Sequence, residues 1–536
     1  MTQPTQMNAE VSVAVLRQWL ADGSEIALLD VREHGQYGSG HLFYAVNAPY
    51  SVLEHRVPYL VPRRTVRIVL YAQGGDIARQ AQQLLQDIGY TQVYVLAGGV
   101  KAWQQAGHNV FAGVNVPSKT FGELVEQHCH TPHIKAEDLA ASQAAAESLL
   151  LLDGRPFEEY QKKTIPGAIC CPNGELALRA TTLMRTANAA RIVVNCAGRT
   201  RSIIGAQTLI NLGVPYEVVA LENGTQGWFL EGLVLEQGAM RDGEAVQPDN
   251  VDVGVLQQQA QRMAQEVGVK LVTAAQLQQW LAESHRTTYV CDVRTTAEYT
   301  RNTLRVAKHT PGGQLVQATD HYIGTRGARI VLWDDLHVRS WVTASWLLQM
   351  GWDVTVLERD AGALLGCVPG VATDDLVGFE LPHMTVEQLA ASVRHNAAQL
   401  IDIRPSQQYR AAHLRGAQWS IRPHLRYATL KTNQLVVVIA SDPYSAALAA
   451  KELQSLGVQQ VCWHHGTTAQ WLAAGLVLEN SPDQPADDDC IDYVFFAHDR
   501  HEGNRQAALQ YLAWETNLLQ QVDELELQYF KVYVAP

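Results

Sequence analysis

A strand-like apolar run closed by Asp-x-Arg is written four times in this chain: IALLDVRE at 26–33, LLLLDGRP at 149–156, TYVCDVRT at 288–295 and AQLIDIRP at 398–405. Four copies of so particular a junction mark an internal repeat, which limits the fold before any single residue is weighed. Each copy is followed by a second apolar run, TVRIVLYAQGG, ARIVVNCAGRT, GARIVLWDDLH or NQLVVVIASDP, and then by a helix-like segment that ends at glycine. A further short strand and, usually, Gly-x-x-x-Trp complete the unit. Near-continuous apolar strands alternating with glycine-stopped helices indicate a parallel sheet covered on both faces.

The expected fold class is therefore α/β, as four tandem domains, each a parallel sheet flanked by helices. They span 8–115, 133–240, 268–368 and 382–480, with a C-terminal extension of a helix and a short strand over 487–536. The extension is expected to pack on the fourth repeat or on a partner chain, and GVLQQQAQRMAQEVGV reads as a connecting helix before the third repeat. A chain of 536 residues has room for several separate cores. With 47% hydrophobic and 18% charged residues it reads as folded throughout.

The formal charge of −13 argues against a nucleic-acid surface and leaves small anions or neutral metabolites as the better ligands. The N-terminal stretch meets Asp22 and Glu25 before any long apolar run, and no run reaches the length of a membrane span, so a cytoplasmic protein with no membrane partner is expected. The eight cysteines, at 129, 170, 171, 196, 291, 367, 462 and 490, contain no Cys-x-x-Cys pair, and neither a metal nor a cofactor is expected.

One cysteine stands apart. Cys196 follows an apolar strand and opens the loop Cys196, Ala197, Gly198, Arg199, Thr200, Arg201 and Ser202, after which a helix begins. In an open parallel α/β sheet this is where ligands sit, and converging amides, the helix dipole and arginines favour a cysteine thiolate and cradle an anion beside it. Gly198 lets the backbone curl around the sulfur, and Ser202 is placed to cap the helix. The alternative is a buried structural cysteine beside an ordinary turn. The two arginines weigh against it, because the helix dipole disfavours positive charge at that end.

The run Asp153-x-Arg155, Glu159 and Tyr160, Ile165 to Ala168, Cys196 to Ser202 and Gly224 to Trp228 resembles a rhodanese, a thiosulfate sulfurtransferase. All four repeats resemble the rhodanese domain and together cover roughly four fifths of the chain. The resemblance implies that Cys196 carries a persulfide and that the loop from Ala197 to Arg201 holds the donor oxyanion and the transferred sulfur. A small anionic sulfur donor such as thiosulfate is implied, with a thiol or cyanide as acceptor. The other repeats depart from the pattern: Tyr71, Trp333 and Ala440 are aligned with Cys196, giving one active and three inactive repeats.

Several further readings attach to this resemblance. In this branch of the family the segment at Asn173 to Arg179 suggests that Arg179 contacts an anionic substrate and Glu175 orients it, with a solvent-facing helix turn as the alternative. Cys170 and Cys171 read as structural, a resolving thiol being the minor alternative. Asp153 and Arg155 recur in repeats lacking the nucleophile and so read as a structural ion pair; Trp103, Trp228 and Trp471 read as core. Cysteine phosphatases place five residues between Cys and Arg where this loop has four, so phosphatase chemistry fits poorly. A mercaptopyruvate-type loop, Cys-Gly-Ser-Gly-Val-Thr, is not matched. The competing function is a sulfur carrier or docking protein that relays persulfide between protein donors and acceptors with little turnover of its own.

Overall fold

The computed structural model describes residues 9–246, 250–359, 365–366, 381–498 and 504–534. Three five-stranded sheets share one strand order, in which the first strand of the repeat lies at one edge beside the fifth, followed by the fourth, second and third. In the second repeat these strands are His133–Ile134, Glu217–Leu221, Arg191–Asn195, Leu149–Asp153 and Ile169–Cys170, all paired in parallel. The fourth repeat has four strands in the same order, with a parallel bridge from His383 to Trp463 at the remaining edge. The α/β class and the parallel sheets flanked by helices are therefore as expected. The end of the third repeat, including Cys367, lies outside the described residues.

The recurring Asp-x-Arg is a strand terminator. Arg155 Nε and Nη2 donate to Asp153 at 2.8 and 2.7 Å, and Nη2 also reaches the carbonyl of Lys163, eight residues on, at 2.6 Å. Arg32 does the same with Gly40, Arg294 with Asn302 and Arg404 with Ala412. All four Asp-Arg pairs are buried or nearly so. A bidentate guanidinium closes the end of the strand and fixes the next turn. Trp103 and Trp228 are likewise buried, each indole N–H donating to a main-chain carbonyl six residues on, and Trp471 donates to His464.

The repeats associate non-sequentially. The chain forms two compact units, one comprising 1–17, 27–113 and 370–495, the other 18–26, 114–369 and 496–536. In the first unit, repeats one and four meet through buried Arg422, which donates to Glu54 at 2.7 and 2.9 Å and to the Tyr50 carbonyl at 3.1 Å. In the second unit, repeats two and three share one apolar core running from Leu150 and Val194 to Leu332 and Trp346. Gly174 and Gly313 lie face to face there, and a β-carbon on either would come within 2.8 Å of the other's amide nitrogen, so neither position tolerates a side chain.

A buried charge network crosses the same junction. Arg339, fully buried, faces Glu175 at 3.1 Å, Glu298 at 2.6 Å, Asp335 at 3.1 Å and Asp334 at 3.7 Å. Glu175 also accepts from Arg179 at 2.8 Å, and Arg179 donates to the carbonyls of Glu244 and Val246.

The C-terminal extension differs from expectation. Its first part does pack on the fourth repeat, through Arg410 to Asp487 at 2.7 Å and the Ser406 amide to Asp492 at 2.8 Å. Residues 504–534 instead pack on the second repeat, as the helix Arg505–Thr516 and two short helical turns, with no strand among the described residues. In place of the expected short strand, the end of the extension docks with Phe530 and Val532 against the shared core, its Lys531 and Tyr533 amides bonding to Gln349. Side-chain docking replaced sheet pairing.

Candidate active site

Cys196 is the first residue after the strand Arg191–Asn195, and the helix Thr200–Leu212 starts four residues later. The loop is braced from behind by the turn at Gly224: the Thr225 amide donates to the Cys196 carbonyl at 2.8 Å and the Gln226 amide to Ala197 at 3.1 Å. Gly224 has φ +52°, and a β-carbon there would lie 2.2 Å from the Cys196 oxygen. That contact explains the glycine opening Gly-x-x-x-Trp.

Cys196 is 2% exposed. Ser202 Oγ donates to Sγ at 3.1 Å. This corrects the sequence reading of Ser202 as a helix cap: the helix has already begun at Thr200, and the hydroxyl sits one turn in, facing the sulfur. Arg201 forms a bidentate pair with Glu159 at 2.9 and 2.8 Å. Burial opposes its charge, but the Glu159 carboxylate more than offsets this and Arg201 is a permanent cation. Arg199 pairs with Glu123 at 2.8 and 3.1 Å. Glu123 belongs to the helix Val116–Cys129, which falls between the bounds expected for the first and second repeats.

Glu175 and Arg179 do not join this loop. Both are buried in the network around Arg339, so the expectation of substrate contacts is corrected to a structural role. A solvent-facing helix turn is equally ruled out, because repeat three covers that face. Burial pushes the thiols of Cys170 and Cys171 upward, and Cys170 Sγ donates to the Arg155 carbonyl. A pocket lined by Asn173, Thr200, Arg201 and Thr343 lies on the helix side of the loop and does not include Cys196.

The loops of the other repeats show a register the sequence alignment missed by one residue. The strand-end carbonyls of Tyr71, Asn195, Trp333 and Ile439 accept equivalent bonds from Val31, Gly154, Val293 and Ile403. The positions matching Cys196 are therefore Ala72, Asp334 and Ala440, not Tyr71 and Trp333. In repeat three the Asp334 carboxylate fills its own loop, accepting from the amides of Leu336, Val338 and Ser340 at 3.2, 3.3 and 2.9 Å. In repeat four Asp442 caps the helix through Tyr444 and Ser445. Repeat one has Gly74 and Gly75 at that point with no side-chain cap.

The sequence model described as "Rhodanese-like domain" matches residues 12–106, 135–231 and 385–474. The chain resembles the crystal structure of a thiosulfate sulfurtransferase from Pseudomonas aeruginosa, with 38% identity, TM-score 0.90, and coverage of 98% of this chain and 100% of that one. It is 30% identical over 103 residues to a sulfurtransferase of Allochromatium vinosum, covering 19% of this chain and 94% of that protein. It is 28% identical over 125 residues to the tRNA uridine(34) hydroxylase of Sodalis glossinidius, covering 21% of this chain and 36% of that protein. Of the first curated relatives, the chain covers between 36% and 64% of their length. With three segments matching the family model and the same sheet order recurring along the chain, the protein belongs to the rhodanese family as a multidomain member.

Proposed function

We propose that the protein is a thiosulfate sulfurtransferase built from four rhodanese-like domains, of which the second carries the chemistry and the other three do not. The single observation that carries this reading is the loop at 196–202: a buried cysteine that accepts from a serine hydroxyl beside a charged arginine, while the matching positions elsewhere are alanine or aspartate. The full-length likeness to the Pseudomonas aeruginosa thiosulfate sulfurtransferase supports the choice of donor.

The reaction follows as a double displacement. Cys196 thiolate attacks the sulfane sulfur of thiosulfate; the S–S bond breaks and sulfite leaves with its electron pair. The outer sulfur of the resulting persulfide is then taken by cyanide or a thiolate, and Cys196 returns as thiolate. Negative charge on the donor oxygens is met by the loop amides from Ala197 onward and by Arg201 at the rim. The Ser202 hydroxyl donates to whichever sulfur anion is present. The depth of Cys196, 2% exposed, favours small donors and acceptors over the protein-to-protein carrier reading, since a thiol on a folded partner needs a more open approach.

The test is steady-state thiosulfate:cyanide kinetics on the full-length protein and Arg201→Ala. Thiosulfate turnover is expected in the parent. The variant should show a KM for thiosulfate raised by about tenfold with a smaller change in kcat, as expected when binding charge is lost. A parent that is loaded only by a persulfidated protein would favour the carrier reading, and an unchanged KM would remove Arg201 from the site.

A further inference from the structure

The helix Arg505–Thr516 brings a carboxylate to the Cys196 loop. Glu515 is 2% exposed, and its Oε1 accepts from the Thr200 hydroxyl at 3.0 Å across 315 residues of sequence. Its Oε2 has no hydrogen-bond partner among the described residues and points to Gly198, lying 3.1 Å from where a β-carbon would stand. The Gln226 amide, buried and also without partners among the described residues, lies 3.8 Å from the same point. The Gly198 turn is thus in contact with the tail, and a side chain there would press on the Glu515 carboxylate.

The helix is firmly seated. Ala508 and Leu512 pack on Phe229 and Leu230 of the Gly-x-x-x-Trp helix, and Arg505 donates to the Leu230 carbonyl. Lys119, buried on the helix Val116–Cys129, donates to the Tyr511 hydroxyl and lies 4.9 Å from the ring centroids of both Tyr511 and Trp514. The neighbouring charges on this side are Glu123, paired with Arg199, and Glu126, both on that same helix; Glu515 adds to the field that keeps Arg199 charged.

From this geometry we infer that Glu515 is a positioning residue for the Cys196 loop, supplied by the C-terminal segment. Thr200 is the first residue of its helix, where a hydroxyl ordinarily turns back onto the local main chain and competes for its unpaired amides. Donation to Glu515 engages that hydroxyl, which leaves the amides at the helix start available to an anion bound at the loop. The carboxylate itself contacts the loop at Gly198 and at the Thr200 hydroxyl. This inference rests on the sulfur-transfer reading given above, and it makes the tail part of the active domain.

The test uses full-length Glu515→Ala, Glu515→Gln and Thr200→Val with two readouts: thiosulfate:cyanide kinetics and the rate of Cys196 alkylation by iodoacetamide, followed by peptide mass. Glu515→Ala and Thr200→Val should lower kcat by about tenfold with the thiosulfate KM within about twofold, and both should change the alkylation rate severalfold. Glu515→Gln keeps the acceptor for Thr200 and should restore both readouts to within about twofold of the parent. Parent-like kcat and alkylation in Thr200→Val, which changes no charge and little volume, would overturn the inference, as would failure of Gln to rescue in a variant that folds. Should the parent itself not turn over thiosulfate, the functional reading falls, while the alkylation rates still decide the role of Glu515.

Discussion

Cys196→Ser is expected to abolish sulfur transfer, lowering thiosulfate:cyanide turnover by at least about a thousandfold, while the melting temperature stays within about 2 °C of the parent. A serine hydroxyl forms no persulfide, and the substitution removes little volume from a site whose backbone is fixed by Gly224, Thr225 and Gln226. No other described cysteine is placed to compensate. Burial pushes the thiols of Cys129, Cys170, Cys171 and Cys490 upward, and those of Cys291 and Cys462 up to about 11, so all hold their protons at neutral pH. Activity in the serine variant, assayed beside a thermal melt, would place the chemistry elsewhere.

Arg339→Ala should be the most destabilising single change in the second unit, by roughly 3–5 kcal/mol, because it leaves buried carboxylates without their cation. Glu175 and Asp334 are buried, and Glu298 is largely so. Asp335, half exposed, adds little. Denaturant titration of parent and variant measures the loss, and a change below about 1 kcal/mol would show the network to be dispensable. The same cation sets an acid limit. Burial alone would raise Glu298, but the bonds from Arg339 and Thr295 outweigh it and hold the carboxyl at about 2. A carboxyl depressed in the folded state stabilises fully above its ordinary value near 4.5 and loses that contribution as the pH falls toward about 2. Parent and Arg339→Ala should therefore converge in stability through that window.

Arg339 and Glu298 also show what a repeat can hide. Arg339 lies five residues after Asp334, as Arg201 lies five after Cys196, and the Arg339–Glu298 pair repeats Arg201–Glu159. With aspartate in place of cysteine, the loop amides are taken by its own carboxylate, and the arginine becomes a staple between repeats.

The local rules were legible in the sequence. The Asp-x-Arg junction, the parallel strands and the loop at Cys196 all depend on residues close together in the chain, and each appears where its spacing placed it. Contacts between repeats were not legible. Nothing near Glu175 and Arg179 announces that Arg339 will bury them, and nothing near Glu515 points to Thr200. The one-residue slip at Tyr71 and Trp333 has a simple cause: the loops between strand and helix differ in length among the repeats, and only the strand-end hydrogen bonds fix the register. The tail strand failed similarly, since the end of the extension found an apolar core instead of a sheet edge.

The most direct test is intact-mass spectrometry of the purified full-length protein after exposure to thiosulfate, with and without subsequent cyanide, beside Cys196→Ser. The account predicts a gain of one sulfur, about 32 Da, that cyanide removes and that the serine variant never shows. A gain that persists in Cys196→Ser, or no gain in the parent at saturating thiosulfate, would contradict it.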